Sequence, residues 1–63
     1  MALKKLTEKT RWDIIDGEVY IFARKPGEQK WIKAFTCHPA VIDLIKSKGL
    51  REAVARSLLI PCK

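Results

Sequence analysis

Residues 18–36, EVYIFARKPGEQKWIKAFT, constrain the fold most, because they predict two strands joined by a loop at residues 26–29. The facing pairs in that register are Lys25–Lys30, Arg24–Trp31, Phe22–Lys33 and Tyr20–Phe35. Side chains alternate along a strand, so the pairing separates two faces. The aromatic and basic face comprises Tyr20, Phe22, Arg24, Trp31, Lys33 and Phe35, and the aliphatic face comprises Val19, Ile21, Ala23, Ile32, Ala34 and Thr36.

A second turn signal, Asp16-Gly17, precedes this hairpin and is typical of two-residue type I′ turns. It pairs Trp12 with Ile21 and so places the segment RWDII on the same two faces. The sequence therefore predicts a three-stranded antiparallel meander over residues 11–15, 18–25 and 30–36. The predicted core positions are Trp12, Ile14, Val19, Ile21, Ile32 and Ala34, while Arg11, Asp13 and Ile15 join the aromatic face.

Two short helices are predicted after the strands. Pro39 suits a first helical position behind His38, and Gly49 ends that helix. Residues 50–59 form a second helical segment that Pro61 stops. Its predicted inward residues are Leu50, Val54, Ser57 and Leu58.

The predicted fold class is α+β, a three-stranded antiparallel meander followed by two short helices packed on one sheet face. Residues 1–63 form one small domain, in which residues 1–10 are an N-terminal arm or short helix, residues 11–36 the sheet and residues 39–60 the two helices. A chain this short buries one sheet face well and rarely two, which leaves the aromatic face for a partner.

Charge favours a polyanionic partner. The chain has 13 Lys and Arg against 7 Asp and Glu, a formal charge of +6 and a pI near 9.7. It contains neither an apolar stretch of membrane-spanning length nor a secretory signal, so a cytoplasmic protein without membrane contact is expected. A small basic protein that is merely soluble remains the alternative.

Catalytic or cofactor chemistry is not indicated. The chain has one His and lacks a carboxylate pair at acid–base spacing or a Gly-rich phosphate loop, so we expect no enzyme and no cofactor. Cys37, His38 and the distant Cys62 do not match a zinc spacing, so no metal site is predicted. Without an export signal, free thiols are favoured over a Cys37–Cys62 disulfide.

The aromatic face suits nucleic acid, DNA or RNA, because rings stack on unpaired bases while Arg and Lys neutralise phosphates. The predicted binding residues are Arg11, Tyr20, Phe22, Arg24, Lys25, Lys30, Trp31, Lys33 and Phe35. We predict a small basic nucleic-acid-binding protein with a regulatory role, for example in transcription. In the alternative arrangement, the N-terminal segment or the second helix folds over these rings and forms a second core.

Two further DNA-binding arrangements remain open. The segment GEVYIFARKPGEQKWIKAF followed by a helix from Pro39 resembles the AP2-type DNA-binding domain and the similar arm-binding domains of some phage integrases. That resemblance implies a sheet lying in the major groove. The other is a helix-turn-helix over residues 41–58, with Lys48, Arg51 and Arg56 as contacts.

The rival class is a protein-interaction module. Aromatic residues and Arg are enriched in protein hot spots, and an edge strand at residues 30–36 offers a pairing site for a second copy or another chain. The protein would then dock on an acidic partner protein as a small inhibitor, of a kind that phages encode, or form a homodimer.

Overall fold

The fold is a single antiparallel sheet with two helices, and the computed structural model describes residues 3–62. Its strands are β1 (Lys4–Thr7), β2 (Thr10–Ile15), β3 (Glu18–Ala23), β4 (Ile32–Cys37) and β5 (Ile60–Pro61), and its helices are α1 (Pro39–Lys48) and α2 (Leu50–Ala55). Within these residues the sheet has five strands in the order β1-β2-β3-β4-β5. The α+β class is as predicted, but the three-stranded sheet was wrong.

The two additional strands lie at the sheet edges. Residues 4–7, predicted as part of an arm or short helix, pair with β2, and residues 60–61 pair with β4. Neither segment has the alternating apolar pattern of a strand: β1 reads KKLT, and β5 contains a proline. Lys and Pro are typical of exposed edges, where they discourage pairing with other chains.

The central hairpin forms as its turn chemistry predicts. Asp16 and Gly17 both have positive φ, 52° and 81°, as a type I′ turn requires. The predicted pairing of Trp12 with Ile21 is confirmed. Val19 and Ile21 on the middle strand are almost completely buried.

The helices cover one sheet face, which we call the helix side. Its buried cluster comprises Val19, Ile21, Val41, Ile42, Ile45 and Ala53, with Leu6, Trp12, Phe35, Cys37, Leu44, Leu50 and Leu59 packed against it. Of the predicted core residues, Ile14 and Ile32 are about half exposed instead. Val54 and Leu58 were also expected inside but are exposed, and Ala53 occupies the buried position of α2.

A β-bulge in β4 changes the predicted register. Phe22 pairs with Lys33 as predicted, but Ile21 pairs with Phe35, so Ala34 is an extra residue between two pairs. Phe35 therefore lies on the helix side, and the prediction that it belongs to the aromatic face was wrong. The Ala34 carbonyl accepts a hydrogen bond from the Cys62 N–H at 2.9 Å, which ties the bulge to the C-terminal segment.

The helix ends follow recognisable capping rules. His38 caps α1, with its Nδ1 accepting from the Ala40 N–H at 3.1 Å, and Gly49 ends the helix as predicted. α2 ends at Ala55, four residues before the predicted end, because Ser57 adopts φ 56°. Ser57 N–H donates to Val54 and Leu58 N–H to Ala53, which is the Schellman pattern. Neither helix among residues 3–62 combines the length and apolar character needed to cross a lipid bilayer.

We predict that Ser57→Gly raises the free energy of unfolding by about 0.5–1 kcal/mol, because glycine adopts positive φ without steric cost. Urea unfolding followed by circular dichroism measures the change. Ser47→Gly is the matched control: Ser47 lies inside α1, where glycine should destabilise by a similar amount. Equal effects of the two substitutions would contradict the assigned strain at Ser57.

Candidate nucleic-acid interface

The sheet face opposite the helices carries a row of cations, and we call it the outer face. Cross-strand pairing sets Lys5 beside Arg11, Arg11 beside Phe22 and Phe22 beside Lys33. Direct cross-strand partners project from the same face, so these residues form one row across β1, β2, β3 and β4. At a strand spacing of about 4.8 Å the row spans about 14 Å. Among residues 3–62 both helices contribute to the opposite core, which leaves this row without a covering layer.

Two arginines stack on one tryptophan at the end of the outer face. The guanidinium carbons of Arg11 and Arg24 lie 4.7 and 4.8 Å from the Trp31 ring centroid. Arg11 lies in β2, whereas Arg24 and Trp31 are the first and last residues of the loop between β3 and β4. Each such contact contributes about 0.5–1 kcal/mol at an exposed site, so Trp31 restrains both guanidinium groups.

Arg11 also holds the β1–β2 turn. Its Nη1 donates to the carbonyls of Thr7 and Thr10, both at 2.9 Å. A guanidinium has five N–H donors, so this anchoring leaves the Nε and Nη2 donors for another acceptor. Arg24 is exposed, and its guanidinium is placed by Trp31.

The other two outer-face rings, Phe22 and Tyr20, also lie beside cationic side chains. Phe22 is only 5% exposed, between the long side chains of Arg11 and Lys33. Lys33 Nζ lies 4.6 Å from the Tyr20 ring centroid. The Tyr20 hydroxyl donates to Glu18 Oε2 at 3.0 Å, and this hydrogen bond together with the Glu18 charge raises the pKa of Tyr20 above its ordinary value.

The predicted binding residues are therefore only partly assembled. Arg11, Tyr20, Phe22 and Lys33 lie on the outer face, and Arg24 and Trp31 stack at its end. Lys25 and Lys30 are exposed in the adjoining loop of residues 24–31. Phe35 belongs to the helix side because of the bulge. Sequence reasoning missed Lys5, since it could be placed only once β1 was known to be a strand.

The predicted covers of the outer face are absent within residues 3–62. Residues 4–7, expected in one alternative to fold over the rings, extend the sheet sideways as β1. Ala53 of α2 is buried in the helix-side cluster. Phe22 is nevertheless shielded, because its cross-strand neighbours are long side chains whose methylene stems can cover a ring.

Charge is distributed unevenly along the outer face. Asp13 and Glu18 lie toward the Asp16-Gly17 turn, while the cations gather toward the opposite end. An open cleft at that cationic end is lined by Glu8, Lys9, Arg24, Lys25, Pro26, Gly27, Glu28 and Gln29. Its walls are the β1–β2 turn and the loop of residues 24–31, so Arg24 belongs both to the cleft and to the Trp31 stack.

Ring–cation stacking also occurs on the helix side. Lys4 Nζ and Lys46 Nζ lie 4.9 and 5.3 Å from the Trp12 ring centroid. Stacking by itself therefore does not mark a binding surface. The outer face differs because its cations stand in a row with no helix above them in the described part of the chain.

The cysteines and histidine do not assemble a reactive centre in residues 3–62. Cys37 and Cys62 are free thiols, and burial raises the pKa of the Cys37 thiol, which disfavours its nucleophilic thiolate form. His38 uses its Nδ1 as a helix cap. No group of three or more His, Cys, Asp or Glu residues in this range is placed to hold a metal ion.

No protein-family model, curated protein or solved structure matches the chain. The five-stranded sheet also departs from the three strands and helix on which the resemblance to the AP2-type domain was based. The outer face is therefore the feature of the molecule from which a function is inferred.

We predict that Glu18→Gln lowers the pKa of Tyr20 toward its ordinary value, because the substitution removes the carboxylate that holds the phenolic proton. Tyr20 is the only tyrosine, so absorbance of the phenolate in a pH titration reports on it alone. Asp43→Asn on α1 is the control and should leave the titration unchanged. An unchanged midpoint in Glu18→Gln would refute the assigned hydrogen bond.

Proposed function

We propose that this protein binds nucleic acid through the outer face and acts as a small regulatory protein rather than as an enzyme. The observation that carries the proposal is the row of Lys5, Arg11 and Lys33 on a sheet face that no helix covers within residues 3–62, continued by Arg24. Lys5 and Arg11 lie on adjacent strands and Lys33 lies two strands beyond Arg11, so the row presents several cations along one line to a polymer whose charges repeat along its length.

Electrostatics supplies most of the expected affinity. A formal charge of +6 draws polyanions toward the protein, and the uneven charge along the face favours approach at the end bearing Arg24 over the end bearing Glu18. Arg11 and Arg24 add directional recognition, because a guanidinium donates two parallel hydrogen bonds to phosphate oxygens. Base stacking would add about 1–3 kcal/mol for each unpaired base that meets a free ring.

Raising salt should weaken binding steeply. With about five phosphate contacts, affinity is expected to fall about 500-fold for duplex DNA and about 130-fold for a single strand between about 50 and 200 mM salt, because the gain from counterion release is lost. Arg24→Ala should reduce the slope of log affinity against log salt by about one. Fluorescence anisotropy of a labelled oligonucleotide measures both quantities.

Lys48→Ala is the matched control for Arg24→Ala, because Lys48 is an exposed cation on α1, on the opposite side of the sheet. It should leave the slope unchanged. Equal losses from the two substitutions would mean that net charge rather than the outer face drives binding. Absence of binding at micromolar protein, or binding indifferent to salt, would refute the proposal.

An acidic protein partner is the competing function, and polyglutamate tests it. A carboxylate polymer with the same number of charges as an oligonucleotide duplex should bind more weakly, because the duplex carries about one charge per 1.7 Å of its axis, whereas extended polyglutamate carries about one per 3.4 Å. Tighter binding of polyglutamate would favour the acidic protein partner.

A further inference from the structure

The outer-face rings already have neighbours within the protein, which distinguishes this face from a surface of free rings that stacks on bases. Phe22 is buried, the Lys33 ammonium lies against the Tyr20 ring, and the guanidinium groups of Arg11 and Arg24 lie against the Trp31 ring. A base that stacked on Trp31 would compete with these guanidinium groups for the ring. Phe35, the remaining ring proposed from the sequence, faces the helices.

We infer that the outer face binds the phosphate backbone of a double-stranded nucleic acid, and that Trp31 acts by positioning Arg11 and Arg24 rather than by stacking on a base. This inference rests on the proposed function. Its basis is complementarity between restrained cations and a duplex, whose phosphates are themselves held in fixed positions. A flexible single strand must be ordered on the face, and its usual compensation, stacking on free rings, is reduced here because Phe22 is buried and cations already contact Tyr20 and Trp31.

The higher charge density of a duplex sets how much more tightly it should bind than a single strand. The slope of log affinity against log salt concentration is about −0.9 for each phosphate contact with duplex DNA and about −0.7 for each contact with a single strand. With about five contacts, this difference alone makes duplex binding about tenfold tighter at about 0.1 M salt. The chemistry recognised is the duplex backbone, which DNA and RNA share.

The positioning role of Trp31 has its own signature. Trp31→Leu removes the ring but leaves every cation in place, so the salt slope should not change. Affinity for duplex should still fall about three- to tenfold, because Arg24 must then be ordered on binding. Arg11 keeps its hydrogen bonds to the β1–β2 turn and loses only the contact with the ring. Trp31→Phe keeps a ring for the guanidinium groups and should lose less.

The experiment compares fluorescence anisotropy of duplex DNA, duplex RNA and the corresponding single strands, each about 20 nucleotides long and free of self-complementarity. We expect at least one duplex to bind about tenfold tighter than its single strands, and Trp31→Leu to weaken it at constant salt slope. Single strands that bind as tightly as both duplexes would overturn the inference and leave the proposed function standing. Failure of all four probes to bind would overturn both.

A second measurement avoids substitution of Trp31. In a Trp12→Phe variant with native circular dichroism, Trp31 is the remaining tryptophan, and its fluorescence reports directly on base stacking. Saturating single-stranded DNA should leave this emission largely unquenched. Strong quenching by single strands, or a larger loss of single-strand than duplex affinity in Trp31→Leu, would show that Trp31 stacks on bases and would overturn the inference.

Discussion

Val19 and Ile21 are covered almost completely where the middle strand meets α1, and the remaining architecture depends on that contact. A chain of 63 residues has apolar material for one such layer, and it is gathered on the helix side. Within residues 3–62 the outer face then lacks a second core, and long cationic side chains cover Phe22 locally. Burial of the apolar side chains on one face of the sheet therefore accounts both for the stability of the domain and for the cationic character of the uncovered face.

The bulge at Ala34 adapts the sheet to this arrangement. With an uninterrupted ladder, Phe35 would lie on the outer face and the helix-side core would lose a large ring. The extra residue moves Phe35 and Cys37 to the helix side while Lys33 stays outside. The C-terminal segment contacts the bulge directly, because the Cys62 N–H donates a hydrogen bond to the Ala34 carbonyl.

Much of the central fold could be predicted from local chemistry. Asp16-Gly17 fixed the first hairpin, and Phe22–Lys33 was the correct pair in the second. The bulge had no sequence signal, because Ala34 sits in an unbroken strand pattern. The edge strands were equally hidden, since KKLT and a proline-containing pair become strands only through pairing with β2 and β4. For the outer face, alternation predicted which residues share a surface, but ring shielding depends on side-chain packing that alternation does not describe.

The bulge also divides β4 into two parts that should differ in their tolerance of sequence change. Before it, Lys33 projects from the outer face and is exposed, so substitutions there alter surface charge while leaving the core intact. Beyond it, Phe35 and Cys37 pack against the buried cluster, where a change of volume is felt throughout the domain. The residue at the outer-face end of β4 can therefore change, and with it the surface charge, while the packing of Phe35 and Cys37 beyond the bulge stays the same.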